Sequence, residues 1–134
     1  MTVYFAHSMR IYRTPEAKRC RTAVERYAQS QGLAILDPED LDWMGLVRQL
    51  GSHDRVYDHV IQRSSEVVVR EHVDHIGRGA YDEVLRALLA SKPVWRLAPD
   101  CTTLHSVIAA DIVNAGDWKI RYARLRWHPE GRVI

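Results

Sequence analysis

Cysteine is nearly missing from this chain, neither sign of charge dominates, and no long apolar run occurs. Each shortage closes off a class of protein. The two cysteines among 134 residues, Cys20 and Cys101, lie far apart and without metal-ligand spacing. They read as reduced thiols rather than as part of a disulfide scaffold, which points to the cytoplasm. With 19 Lys and Arg against 17 Asp and Glu the net charge is +2, so no overall field favours nucleic acid or an anionic membrane. Nowhere do apolar residues approach the roughly 18 of a membrane span, and Met1 to His7 runs straight into a strand pattern rather than a leader. Internal repeats and low-complexity linkers are missing as well.

What is present is an ordinary globular composition, 46% hydrophobic and 27% charged, at a length that suits one domain over residues 1–134. Val3 to Ala6 is a short apolar run, predicted as a buried strand that ends in the polar turn His7 to Arg13. Thr14, Pro15 and Glu16 open a helix, as N-cap, first helical residue and dipole-favoured acid. Ala17, Cys20, Val24, Tyr27 and Ala28 mark its inner face, and Gly32 stops it. Leu33 to Leu36 reads as the second strand, closed by Asp37-Pro38. Glu39 to Gly51, with Asp40, Asp42, Trp43 and Met44, is predicted as a partly helical insertion. Ser52 caps a helix running to about Ser64, with Val56, Tyr57, Val60 and Ile61 inward. Val67 to Val69 is a third, central strand, Gly79 to Ala90 a helix and Pro93 to Leu97 a fourth strand. A helix capped by Thr102 or Thr103 and a last strand over Trp118 to Trp127 complete the pattern. Alternating strands and helices predict an α/β fold, doubly wound in the flavodoxin-like (Rossmann-type) manner, with a parallel sheet of about five strands.

In such sheets ligands sit beyond the carboxyl ends of the strands. The segment Glu66 to Leu97 therefore puts Glu83, in the first turns of a helix behind a glycine-bearing turn, where a ligand binds. Three motifs accompany it in order. Val3-Tyr4-Phe5 leads to Ala6-His7-Ser8-Met9-Arg10; Asp58 stands eight residues before Glu66-Val67-Val68-Val69; and Gly79-Ala80-Tyr81-Asp82-Glu83 is followed by Ser91-Lys92-Pro93.

Taken together over residues 3–97, these motifs resemble the nucleoside 2-deoxyribosyltransferase superfamily and, within it, the deoxynucleoside 5'-monophosphate N-glycosidases. The family opens with a VYF-type strand and a G-S-x-R turn, and here His7 replaces the glycine. Its G-x-x-Y-E-L-G-x-A segment carries the nucleophilic glutamate. This chain keeps the glycine-to-glutamate interval but displaces the tyrosine and loses the second glycine. The resemblance implies Glu83 as a retaining nucleophile at the anomeric carbon, with water or a second base as acceptor. It gives Asp58 a part in sugar positioning or acid catalysis and Tyr4 a place in the pocket. Ser8 and Arg10 take the 5' end, helped by the backbone at Gly77 and Gly79 and the charge of Arg78. Phosphate-binding relatives have a serine where Gly77 stands. The resemblance implies a homo-oligomer, a dimer at base, acting on a small nucleoside or nucleotide, with no cofactor or metal and no membrane or nucleic-acid partner. Which base, which sugar, and hydrolysis or transfer stay open at this level.

Blander roles compete for each residue. A helix-start acid such as Glu83 often only favours the dipole, Tyr4 suits a buried strand, Ser8 suits a turn, and Asp58 suits a wet helix face. His72, Asp74 and His75 offer metal-ligand chemistry without an ordered metal spacing. Lys119, Arg121, Arg124 and Arg126 alternate with Trp118, Tyr122 and Trp127, which fits a charged edge strand better than a nucleic-acid surface. Trp43, Met44 and Asp42 fit a lid or an insertion packed onto the domain. The rivals to a glycosidase are a non-catalytic nucleotide or ADP-ribose-binding module of the same fold and a metal-dependent hydrolase built on His72, Asp74 and His75.

Overall fold

The computed structural model describes residues 1–114 and 122–134. Strand β1 (Thr2–His7) is central, flanked by β2 (Ala34–Leu36) and β3 (Glu66–Arg70), with β5 (Val94–Leu97) beyond β3, all parallel. From β1 the chain winds one way to β2, and from β3 the other way to β5, so the winding direction switches between β1 and β3. That switch opens a crevice at the carboxyl ends of these two strands. Two further strands, β6 (Thr103–Ser106) and β9 (Gly131–Val133), extend the sheet antiparallel, giving the order β2-β1-β3-β5-β6-β9. The result is a mostly parallel α/β sheet compatible with the flavodoxin-like arrangement.

Alternation along β1 and β3 assigns the two faces. Val3, Phe5 and Val68 pack with Cys20, Val24 and Tyr27 of α1 (Pro15–Ser30). Tyr4, Ala6, Val67 and Val69 pack with Val56 and Val60 of α3 (His53–Gln62) and Val84 and Ala87 of α4 (Arg78–Leu89). The caps follow the sequence: the Thr14 hydroxyl accepts the Ala17 amide, Ser52 accepts Arg55, and Asp42 caps α2 (Trp43–Leu50) through Gly45. Gly51 ends α2 at φ 102°, a conformation that costs a side chain dearly. Lys92 donates to the carbonyls of Ile61 and Ser64, fastening the end of α3 to the start of β5.

The helix expected after Thr102 is absent. Asp100 accepts from the Thr102 amide and hydroxyl, and the Ala98 amide bonds the Thr103 carbonyl, so residues 98–103 turn back as a hairpin and β6 pairs with β5. Extending Thr103–Ser106 pairs an otherwise open edge of β5, an incentive local periodicity does not register. Four of the six strands in this sheet are therefore parallel, where the sequence predicts about five. A second sheet, β4 (Ile76–Gly77), β8 (Tyr122–Leu125) and β7 (Ile112–Asn114), runs in the order β4-β8-β7. The expected last strand is thus described only over β8, which is central rather than at an edge. Trp118, Lys119 and Arg121 lie outside the described residues. Among the described residues no helix is long and apolar enough to cross a membrane.

Candidate functional site

Glu83 lies on the stripe of α4 that also carries Ala80, Val84 and Ala87, so the helix turns its carboxyl onto the sheet. It is 4% exposed. There it meets Tyr4, buried in mid-β1, whose hydroxyl donates to Oε2. Burial pushes the Glu83 carboxyl up from the ordinary 4.5 to about 8, against the opposing pull of the Tyr4 hydrogen bond, and nearby Asp82 adds to the rise.

Two more tyrosines feel this carboxyl. Burial, then Glu83 and Asp82, raise the Tyr57 phenol. Burial, then Glu83, Asp37 and Glu39, raise the Tyr12 phenol. Both stay protonated donors at neutral pH. Tyr57 reaches over the start of α4: a Cβ built on Gly79 falls 3.1 Å from the Tyr57 hydroxyl, so the glycine gives that ring its room. Trp43 of α2 stands 5.4 Å from the Tyr57 ring and donates to His53 Nδ1 at 3.0 Å. The insertion therefore packs its aromatic edge beside the site, whereas Met44 is exposed.

The expected residues divide. Glu83 and Tyr4 are in direct contact. Gly77 is the N-cap of α4, without a side-chain cap for the helix, and Arg78 and Gly79 form its first turn, with Arg78 exposed. Ser8 caps a short 3-10 turn, Met9–Ile11, by accepting the Arg10 amide at 3.2 Å, and the Arg10 side chain is exposed. Asp58 is not brought to Glu83. Its carboxyl is 51% exposed, 3.6 Å from Arg86, and accepts from Gln62 at 2.9 Å. One helical position separates Tyr57 from Asp58, a rotation of about 100°, and it is the tyrosine that faces Glu83. Tyr57 was legible in the sequence only as a member of the α3 stripe, and Tyr12 only as part of the turn after β1.

His7, standing where relatives have glycine, points to the other face of the sheet. It stacks on Phe5 at 4.2 Å, lies 4.8 Å from Tyr12, and shares a 2.8 Å hydrogen bond between Nε2 and Asp37, while its Nδ1 is buried without a partner. Burial alone pushes the Asp37 carboxyl up, but His7, the Glu39 amide and Arg21 outweigh it and hold the group below the usual range. With Glu39 these side chains bring three ligand-type atoms within 4.8 Å of one another. Within this group Arg21 is 3.4 Å from Asp37, and Glu39 accepts the Arg13 backbone amide. His72, Asp74 and His75 form no such group. The two rings meet edge-on at 6.0 Å, and Asp74 lies 3.5 Å from Arg124. A cavity of about 630 Å³ opens between the start of α1 and the Pro38–Asp40 turn, walled by Arg13, Lys18, Arg21, Glu39 and Asp40 among others. Glu83 is not among its walls.

Compared with protein-family models, with curated proteins and with solved structures, the chain matches none of them.

Proposed function

We propose that this chain is a retaining N-glycosidase of the nucleoside 2-deoxyribosyltransferase type, cleaving a nucleoside or nucleoside 5'-monophosphate through a glycosyl ester on Glu83, or passing the sugar to another base. The observation that carries the reading is the Glu83 carboxyl, hydrogen-bonded to Tyr4 and within the electrostatic reach of two further protonated tyrosines, beside the point where the sheet changes direction. A buried carboxyl with a strongly displaced pKa at such a crevice has the character of a working group.

In this mechanism the Tyr4 hydroxyl orients the carboxylate, which attacks C1' as the bond to the base breaks and positive charge builds on the sugar. The departing base receives a hydrogen bond from Tyr57 rather than from Asp58, whose carboxylate is engaged with Arg86. Water or a second base then opens the ester from the same face, restoring Glu83 and retaining configuration. Ser8, Arg10 and the uncapped start of α4 at Gly77 to Gly79 serve the 5' end. Because Glu83 is so well covered, substrate entry displaces the Tyr57 and Trp43 edge; α2 acts as the mobile wall.

One observation favours a second reading, a non-catalytic nucleotide or ADP-ribose-binding module: the near-complete cover over Glu83 also suits a polar contact in a core. Release of free base from a panel of deoxy- and ribonucleosides and their 5'-monophosphates separates the two. Turnover by the parent, loss in Glu83→Ala with binding retained, and a sugar adduct on the Glu83 peptide by mass spectrometry support the glycosidase. Binding without release by either protein supports the module.

A further inference from the structure

We propose that Cys20 and Cys101 form a built-in disulfide site, which a small-molecule disulfide converts into a bond tying α1 to the turn between β5 and β6. The inference stands apart from the glycosidase reading.

The two sulfurs lie 3.6 Å apart, already in contact, although one belongs to the middle of a helix and the other to a hairpin turn. Cys20 is fully covered, and Cys101 is 9% exposed in a turn whose neighbours Pro99, Asp100 and Thr102 are exposed. The turn itself aims the sulfur inward. Cys101 holds φ 61°, left-handed and unfavourable for a side-chain-bearing residue, and is fastened by its amide to the Ala98 carbonyl at 2.8 Å.

A second feature points to thiol chemistry. Arg70, at the end of β3, lies near enough to pull the Cys20 thiol down, pairs with Glu16 at 3.0 Å, and has its Nε buried without a partner. A guanidinium beside a sulfur stabilises the thiolate that exchange requires. Burial nevertheless pushes the Cys20 thiol up to about 11, against this cation, so Cys20 is the resolving thiol and Cys101, nearer solvent, is the one that first attacks the small disulfide. The Cys101 thiolate displaces one half of oxidised glutathione, which leaves as a thiolate and takes up the proton. Cys20, once deprotonated, attacks the mixed disulfide at the Cys101 sulfur and expels the second glutathione thiol. Two protein thiols are oxidised and one small disulfide is reduced to two thiols, so atoms and electrons balance.

The test is incubation of the whole chain with oxidised glutathione at mildly alkaline pH, followed by thiol counting in denaturant and intact mass. Expected are loss of both thiols, a mass lower by two hydrogens on a monomeric chain, and reversal by dithiothreitol. The unfolding midpoint rises by about 5 °C or more, because the bond closes a long loop; Cys20→Ser and Cys101→Ser show no such rise. Two persisting thiols, a glutathione adduct at Cys101 that never closes, or crosslinked dimers would each overturn the proposal, and the thiol count and mass decide it however the variants fold.

Discussion

Replacing Glu83 by Gln removes a proton-binding site that folding creates, and the size of the effect follows from burial. The folded carboxyl holds its proton to about pH 8, against an ordinary value of 4.5. Its pKa is raised on folding, so the stabilisation linked to this proton is complete below the unfolded pKa and drains away as pH climbs toward the folded one. Each unit of difference is worth about 1.4 kcal/mol, which puts the whole loss at roughly 5 kcal/mol as a ceiling. A Gln at this position keeps an acceptor for Tyr4 but has no proton to lose. The variant therefore gains on the parent continuously between about pH 5 and pH 8, then holds its lead. Groups that titrate in the opposite sense, Asp37 among them, are common to both proteins and cancel in the difference. Urea unfolding of the two proteins at intervals from about pH 5 to pH 9 measures this directly. A stability difference that stays flat across that range, whatever its absolute value, would refute the account of Glu83 as a carboxyl held neutral by burial.

Further outcomes follow from the same geometry. Base release by the parent increases with pH through about 8 as the nucleophile ionises, and Glu83→Gln shows none; a pH–rate profile checks both. Tyr4→Phe removes a hydrogen bond that holds the carboxyl down, so the rising limb of that profile moves to higher pH while stability falls by about 1–2 kcal/mol. Gly79→Ala places a methyl 3.1 Å from the Tyr57 hydroxyl; calorimetry should find stability within about 1 kcal/mol of the parent, whereas kcat/KM falls as the tyrosine shifts. Asp58→Asn breaks a half-exposed pair with Arg86 while keeping an acceptor for Gln62, changes stability by no more than about 0.5 kcal/mol, and leaves kcat nearly intact; a large fall in kcat would return Asp58 to the chemistry. Arg96 is buried against Glu71 and stacked 3.3 Å from the Trp127 ring centre, so Arg96→Ala strands a buried carboxylate and costs about 3–5 kcal/mol in denaturant unfolding, much of it recovered when Glu71 is replaced by Gln as well.

Local patterning was a good guide wherever short-range chemistry decides. Thr14-Pro15, Ser52 and Gly32 marked helix ends because a side-chain acceptor, a ring-locked φ or a missing Cβ acts within one turn. Strands β1 and β3 stood out because burial on both faces demands apolar runs, and β5 because a short, largely apolar segment follows Pro93. The segment after Pro99 misled because Leu104, Val107 and Ile108 fit a helical stripe on paper, while an unpaired edge on β5 rewarded extension more.

The amino-acid order by itself determined the α/β alternation, the four parallel strands with their covering helices, and the placement of Glu83 on a helix behind the central strands. Only the tertiary structure decided which neighbours that carboxyl has. Setting Tyr57 rather than Asp58 within electrostatic reach of Glu83, burying that carboxyl against the Tyr4 hydroxyl, pairing His7 with Asp37 on the opposite face, and laying Cys20 against Cys101 all depend on how separate elements rotate against one another. A rotation of one residue, about 100° on a helix or the opposite face on a strand, exchanges one neighbour for another, and the packing of the whole core sets it.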